Sequence, residues 1–166
     1  RQINTGDGTV ADNRNKVSII QNGGWNLVGH HGDSGNTSVP TSERGVWQNG
    51  IGNTAEISQT GGTGNEVHRV GQSGGGSSAG DFNVAQIDQT GSRNYIFRAE
   101  QIGNNNNATI GQSGTDNRVV SLTQDNSGSG SLGNTATLTF NGDFNGVGTF
   151  TGVAAGLGLA QATASQ

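Results

Sequence analysis

One phrase recurs along this chain: Asn, apolar, apolar, Gln and Gly, each separated from the next by a single residue. It stands at Asn15-Val17-Ile19-Gln21-Gly23, Asn53-Ala55-Ile57-Gln59-Gly61, Asn83-Ala85-Ile87-Gln89-Gly91 and Asn106-Ala108-Ile110-Gln112-Gly114. A fifth copy, Asn134-Ala136-Leu138-Phe140-Gly142, keeps the frame with Phe in the Gln position. A spacing of two puts the named side chains on one face of a β-strand, because successive side chains alternate across the pleat. One such strand cannot bury an Asn-apolar-apolar-Gln face by itself, whereas stacked copies can. The expected fold is therefore all-β: a β-solenoid of stacked two-strand coils (strand, turn, strand) with cross-β, amyloid-like packing.

A second phrase alternates with the first and carries one extra residue. It reads Asn65-Val67-Arg69-Val70-Gln72-Gly74, Asn94-Ile96-Arg98-Ala99-Gln101-Gly103 and Asn117-Val119-Ser121-Leu122-Gln124. Seven residues now separate Asn from Gln, so a β-bulge is needed to keep both on one face. This places Val67, Val70, Ile96 and Ala99 inward and turns His68, Arg69, Phe97 and Arg98 to solvent. Asn26-Val28-His30-His31-Asp33-Gly35 and Asn145-Val147-Thr149-Phe150-Gly152 read as degenerate copies, with His31 and Asp33 at inward positions. Ser42-Arg44-Val46-Gln48-Gly50 breaks the alternation, since a second six-spaced phrase follows it directly; it reads either as a full rung or as an insertion. Residues 1–14 form an N-terminal segment and 15–152 the solenoid, with an irregular insertion at 34–45 and loops at 73–82 and 125–133. Residues 153–166 lose the repeat phase and read as a tail, either a short cap or a segment that docks on a neighbouring subunit.

Hydrophobic residues are 28% of the chain, charged residues 12%, and there are 31 glycines. Low hydrophobicity signals disorder when net charge is also high, but here the formal charge is only −4. Sparse but strictly placed apolar residues favour a narrow core built partly from amide hydrogen bonds. A side-chain amide has two donors and an acceptor, so stacked Asn and Gln can satisfy one another out of water. The expected ladder is Asn15, Gln21, Ser42, Gln48, Asn53, Gln59, Asn65, Gln72, Asn83, Gln89, Asn94, Gln101, Asn106, Gln112, Asn117 and Gln124.

Other chemistries find little support. The chain has no Cys or Met, which removes disulfides, thiolate metal sites and thiol nucleophiles. Its eight basic residues are scattered and outnumbered by acids, so no nucleic-acid partner is expected. No apolar run approaches the ~20 residues of a membrane-spanning helix, and membrane insertion is not expected. His30, His31 and Asp33 alone have metal-ligand character, and alternation along a strand would aim adjacent histidines apart. No metal, no cofactor and no catalytic constellation is expected. The sequence lacks an initiator Met, which fits an export signal already removed.

The stretch Ser42-x5-Gln48-x-Gly50-x-Gly52-Asn53-x-Ala55-x3-Gln59 matches the curlin repeat at every specified position. The chain thus resembles the curli subunits, secreted bacterial proteins that assemble into the amyloid fibres of the biofilm matrix. The match is specific over 42–59 and looser, yet in phase, over most of 15–152. The resemblance implies an extracellular, cell-surface fibre subunit and not an enzyme. It also implies export by dedicated secretion machinery, a nucleator subunit as partner, and growth by stacking terminal rungs on other copies. The competing class is a monomeric β-solenoid binding module, such as an ice-binding protein or an adhesin domain. Thr135, Thr137 and Thr139 suggest the former, but Thr54-Glu56-Ser58 and Val84-Gln86-Asp88 spoil a regular threonine plane. Trp25, Trp47, Tyr95 and Phe97 fall at outward or turn positions, as isolated exposed aromatics often do.

Overall fold

The computed structural model describes residues 2–4, 15–29, 45–74, 82–126, 133–147, 151–153 and 159–165. Among them are seventeen strands and no helix. Sheet A contains β1 (Gln2–Asn4), β4 (Gly45–Gly50), β7 (Arg69–Gly74), β10 (Ala99–Gly103), β13 (Thr123–Asn126) and β16 (Thr151–Val153). Sheet B contains β2 (Lys16–Gln21), β5 (Thr54–Thr60), β8 (Val84–Ser92), β11 (Asn107–Thr115), β14 (Thr135–Asn141) and β17 (Leu159–Ser165). Sheet C contains the short strands β3 (Leu27–Val28), β6 (Glu66–Val67), β9 (Tyr95–Phe97), β12 (Arg118–Val120) and β15 (Gly146–Val147). Each strand pairs in parallel with the strand three places along, for example β5 with β8 and β8 with β11. The chain is therefore a solenoid, and it rises about 4.8 Å per coil.

The register follows the repeat. Ala55, Ala85, Ala108 and Ala136 are stacked, as are Ile57, Ile87, Ile110 and Leu138. Across the core, Val46, Val70 and Ala99 stack in sheet A, and Val67, Ile96 and Val119 in sheet C. All of these are buried. The extra residue of the second phrase does more than bulge the strand: it divides the strand between sheets C and A. Arg98 and Ser121 sit at this corner with φ of 68° and 70°. Each coil is thus a long strand facing two short ones.

Turns obey a rule the repeat only half displays. Each column Gln from Gln21 to Gln112 is followed two residues later by a glycine with positive φ, as at Gly91 and Gly114, whereas Gln124 is followed by Asn126. A second left-handed residue precedes the next Asn: Gly52 (68°), Arg93 (55°), Asn105 (59°), Asp116 (60°) and Phe144 (60°). Glycine is required at the first position, because successive turns touch through their backbones. A Cβ on Gly91 would enter the van der Waals shell of the Gly114 carbonyl oxygen. The second position faces outward and tolerates a side chain at the modest cost of left-handed backbone.

Three expectations are corrected. His31 and Asp33 do not supply the inward residues after Val28, since Val46 and Gln48 fill that register opposite Val70 and Gln72. The Ser42–Gly50 phrase is therefore neither a full rung nor wholly an insertion: its end, Gly45–Gly50, is the sheet A half of the coil begun by β3. Residues 30–44, with His30, His31, Asp33 and Ser42, lie outside the described residues. Arg69 is not in solvent but only 8% exposed. Its guanidinium lies where a side chain on Gly71 would be, 3.8 Å from Glu100, because a glycine on the outer face leaves room for it.

Gly91→Ala is expected to destabilise the fold by about 2–4 kcal/mol, combining positive φ with a backbone clash. Gly146→Ala, where a Cβ meets nothing within 4 Å, is expected to change stability by less than about 0.5 kcal/mol. Urea unfolding of the two variants checks the contrast.

Candidate assembly site

Asn side chains tie each coil to the next. The Oδ1 of Asn65 accepts from the backbone N–H of Asn94 (3.0 Å), and that of Asn94 accepts from Asn117 N–H (3.2 Å). The same bond joins Asn15 to Asn53, Asn83 to Asn106, and Asn117 to Asn145. The Nδ2 groups of Asn53, Asn83, Asn94 and Asn117 then donate to carbonyls on either side. Asn94 Nδ2 reaches Thr90 O in its own turn (3.1 Å) and Gly114 O in the following one (3.1 Å). Asn65 and Asn117 likewise reach Gly91 O and Gly142 O of the following turn. One amide thus closes its own turn and grips a carbonyl of the next, while Asn83, Asn106, Asn117 and Asn145 also donate back to the Oδ1 of the preceding Asn.

Gln side chains form two further columns. In sheet B, Gln21 Nε2 donates to Gln59 Oε1 (2.7 Å), Gln59 to Gln89 (2.8 Å) and Gln89 to Gln112 (2.8 Å). In sheet A, Gln48 donates to Gln72 (2.7 Å), whereas Gln124 donates back to Gln101 (3.4 Å). These amides also close turns from inside, as Gln48 Nε2 does to Asn53 O and Gln59 Nε2 to Asn65 O (3.0 and 2.9 Å). Phe140 occupies the sheet B column after Gln112 and is buried.

Of the sixteen residues singled out in the sequence, Gln48, Asn53, Gln59, Asn65, Gln72, Asn83, Gln89, Asn94, Gln101, Asn106, Gln112, Asn117 and Gln124 are buried. Asn15 is half-buried, Gln21 is exposed at the N-terminal end, and Ser42 lies outside the described residues. Asn26, Asn134 and Asn145, which lead repeat phrases but are not in the expected ladder, occupy the same columns. For Asn26 and Asn145 the signal was available, since each follows a positive-φ Gly at a distance of three residues, as do Asn94 and Asn117.

Outside the core, charge is arranged in local pairs. Arg93 and Asp116, both left-handed turn residues one coil apart, form a bidentate ion pair (2.7 and 2.5 Å). This hydrogen bond holds the Asp116 carboxyl below its usual range and Arg93 above its own. On the outer face of sheet C, His68 bonds Glu66 (2.7 Å) and packs edge-on against Tyr95, over which Arg118 lies at 5.6 Å. Burial, chiefly, pushes the Tyr95 phenol upward, and Arg118 opposes the shift. Trp25 is almost fully exposed on its turn, while Trp47, Tyr95 and Phe97 are half-buried. These groups give no catalytic arrangement, and among the described residues no group of His, Asp and Glu is placed to hold a metal ion.

The chemistry of the site is therefore that of backbone and amide edges: parallel strands and oriented amides stacked in register. Two segments, 13–61 and 98–125, match the family model of the curlin associated repeat. Over these two segments the chain carries curlin-type repeats. The repeat supports, in general terms, a structural subunit of curli-type amyloid. Gln72, Asn83, Gln89 and Asn94 lie between the matched segments yet share their columns without a break in register. No curated protein and no solved structure gave a significant match.

Two measurements check these interactions. Asn94→Ala is expected to cost about 1–3 kcal/mol by orphaning buried turn groups. Asn94→Asp should cost more at pH 7, because a carboxylate would face the Thr90 and Gly114 carbonyls, and should regain stability as pH falls and protonates it. For Asp116 the sign is opposite: its folded pKa is lowered, so its contribution is present above the ordinary carboxylate range and is lost as pH falls through the lowered value. Asp116→Asn should accordingly flatten the acid limb of stability against pH below about pH 4.

Proposed function

We propose that this chain is a structural subunit of an extracellular, self-assembling curli-like fibre that supports the biofilm matrix and adhesion at the bacterial surface. The observation that carries this reading is the state of the N-terminal end. Among the described residues β2 is the edge of sheet B there, with Ile19 44% exposed and Gln21 open to solvent, although their counterparts one coil on are buried. Unpaired, flat, apolar edges template further strands. A soluble monomeric repeat protein ordinarily covers such an edge. Copies of the chain are the principal partner in this reading, joined by a nucleator subunit and by the secretion machinery that exports it. The outer faces support adhesion only in a general way: their columns mix charge, hydroxyl and aromatic groups and form no regular threonine plane.

Negative-stain electron microscopy of purified protein near neutral pH, with fibre diffraction, tests the proposal. Unbranched filaments with a meridional reflection near ~4.8 Å are expected. Persistently monodisperse particles would defeat it and favour a binding module instead. Gln89→Ala with Gln112→Ala should slow elongation, followed by thioflavin fluorescence, while leaving the monomer soluble. Unchanged kinetics would remove the glutamine column from the mechanism.

A further inference from the structure

The last coil differs from all the others. At the inward register positions, β16 and β17 bring Gly152 opposite Gln124, Ala160 opposite Ala136, Ala162 opposite Leu138 and Ala164 opposite Phe140. No amide and no large apolar residue stands at any of them. Below this coil, Asn134 and Asn145 are both only 4% exposed. Each receives the grip of the preceding Asn, yet among the described residues neither Oδ1 accepts a hydrogen bond from a coil above.

The strand counts are also unequal. With β16 and β17 in place, sheets A and B have six strands and sheet C has five. If a second copy stacked on this end, its β1 and β2 would continue sheets A and B. Its β3 would then stand two rungs from β15, leaving sheet C one strand short at every junction. Without β16 and β17 the three sheets hold five strands each and end together at β13, β14 and β15. A second copy would then extend all three at once. Its Val17 and Ile19 would stack on Ala136 and Leu138, and its Gln2, which shares a register with Gln48, would stack on Gln124. Its Asn15 and Asn26 backbone N–H groups would meet the Oδ1 atoms of Asn134 and Asn145, as Asn53 and Asn65 meet those of Asn15 and Asn26.

We propose that the β16–β17 coil is a removable cap, displaced during assembly by the N-terminal coil of a second copy of this chain. The exchange puts Val17 and Ile19 where the cap offers Ala160 and Ala162, and supplies Gln2 where it offers Gly152. Burying larger apolar side chains and pairing amide acceptors both favour the newcomer. The cap blocks the C-terminal end in the free subunit by occupying its edge. It thereby makes subunit addition at that end a strand exchange instead of a simple docking. This inference rests on the filament reading above.

Disulfide mapping in the full-length chain tests it, and no native Cys interferes. Ser18, Thr137 and Gln161 occupy one register column of sheet B, on β2, β14 and β17. Within a subunit Ser18 and Thr137 are four strands apart, or roughly 19 Å, too far for a bond that requires Cα atoms within about 7 Å. Filaments of Ser18→Cys/Thr137→Cys, grown reduced and then oxidised, should run as covalent multimers on a non-reducing gel. Filaments of Ser18→Cys/Gln161→Cys should remain monomeric. The reverse pattern would mean that the next copy stacks on the cap, and would overturn the proposal while leaving the filament reading standing.

Locking the cap gives a second measure. Oxidised Thr137→Cys/Gln161→Cys should elongate at least tenfold more slowly and recover on reduction. Oxidised Thr109→Cys/Thr137→Cys, in register within the body, should elongate at the unmodified rate. Equal rates for the two oxidised variants would overturn the displacement. Failure of the unmodified chain to form filaments at all would overturn the filament reading itself, and this inference with it.

Discussion

The structure depends on the asparagine grip. A stack of parallel strands joined by turns has a difficulty at every turn: carbonyl and N–H groups leave the ladder and enter the interior. Buried and unpaired, each costs on the order of 1–3 kcal/mol. Asn solves this with a single short side chain. Its Oδ1 takes the N–H of the next Asn, and its Nδ2 takes carbonyls of its own turn and the following one, as at Asn94. Asp lacks the donors and Ser the reach, while Gln from the same position would overshoot a carbonyl four residues back. The glycine columns follow from the grip, because turns held this close leave no room for a Cβ.

Much of this was legible in the sequence. The period of two gave the strands and their inward faces, and the recurrence of the phrase gave the stack and its register. Residues Ala55, Ile57, Gln59 and their counterparts needed no structure to be placed each in its own column. What could not be read was any feature decided by a contact between coils. The extra residue at Arg98 and Ser121 reads as a bulge, but whether the chain bends there into a separate sheet depends on a left-handed corner that stacks on its neighbour. Likewise, Val46 and Gln48 complete the coil of Val28 only because they pair with Val70 and Gln72. The intervening sequence gives no hint that His31 and Asp33 are to be passed over.

The left-handed turn positions show a different limit. Arg93, Asp116 and Phe144 occupy backbone conformations that favour Gly or Asn. Composition alone would not place them there. Arg93 and Asp116 repay part of the strain by pairing with each other across one coil. Arg69 shows a similar dependence: its burial is set by Gly71 on the next strand position outward and by Glu100 one coil away. Side chains at such positions are fixed by neighbours distant in sequence, so a reading confined to one repeat sends them to solvent.

The two kinds of amide column do different work. The Gln columns are adaptable: the sheet B column donates toward the C-terminal end, whereas Gln124 donates in the reverse sense to Gln101. A Gln amide can turn over, because its partner above or below is another amide offering both donor and acceptor. The column even accepts Phe140, which fills the space with apolar contact. An Asn in the grip cannot turn over, since backbone groups of fixed polarity stand on both sides of it. The polarity of the stack is therefore written in Asn15, Asn65, Asn94 and Asn117 and not in the glutamines. Reversing one coil would set carbonyl against carbonyl at two turns at once, so a copy joined through these grips enters in one orientation only.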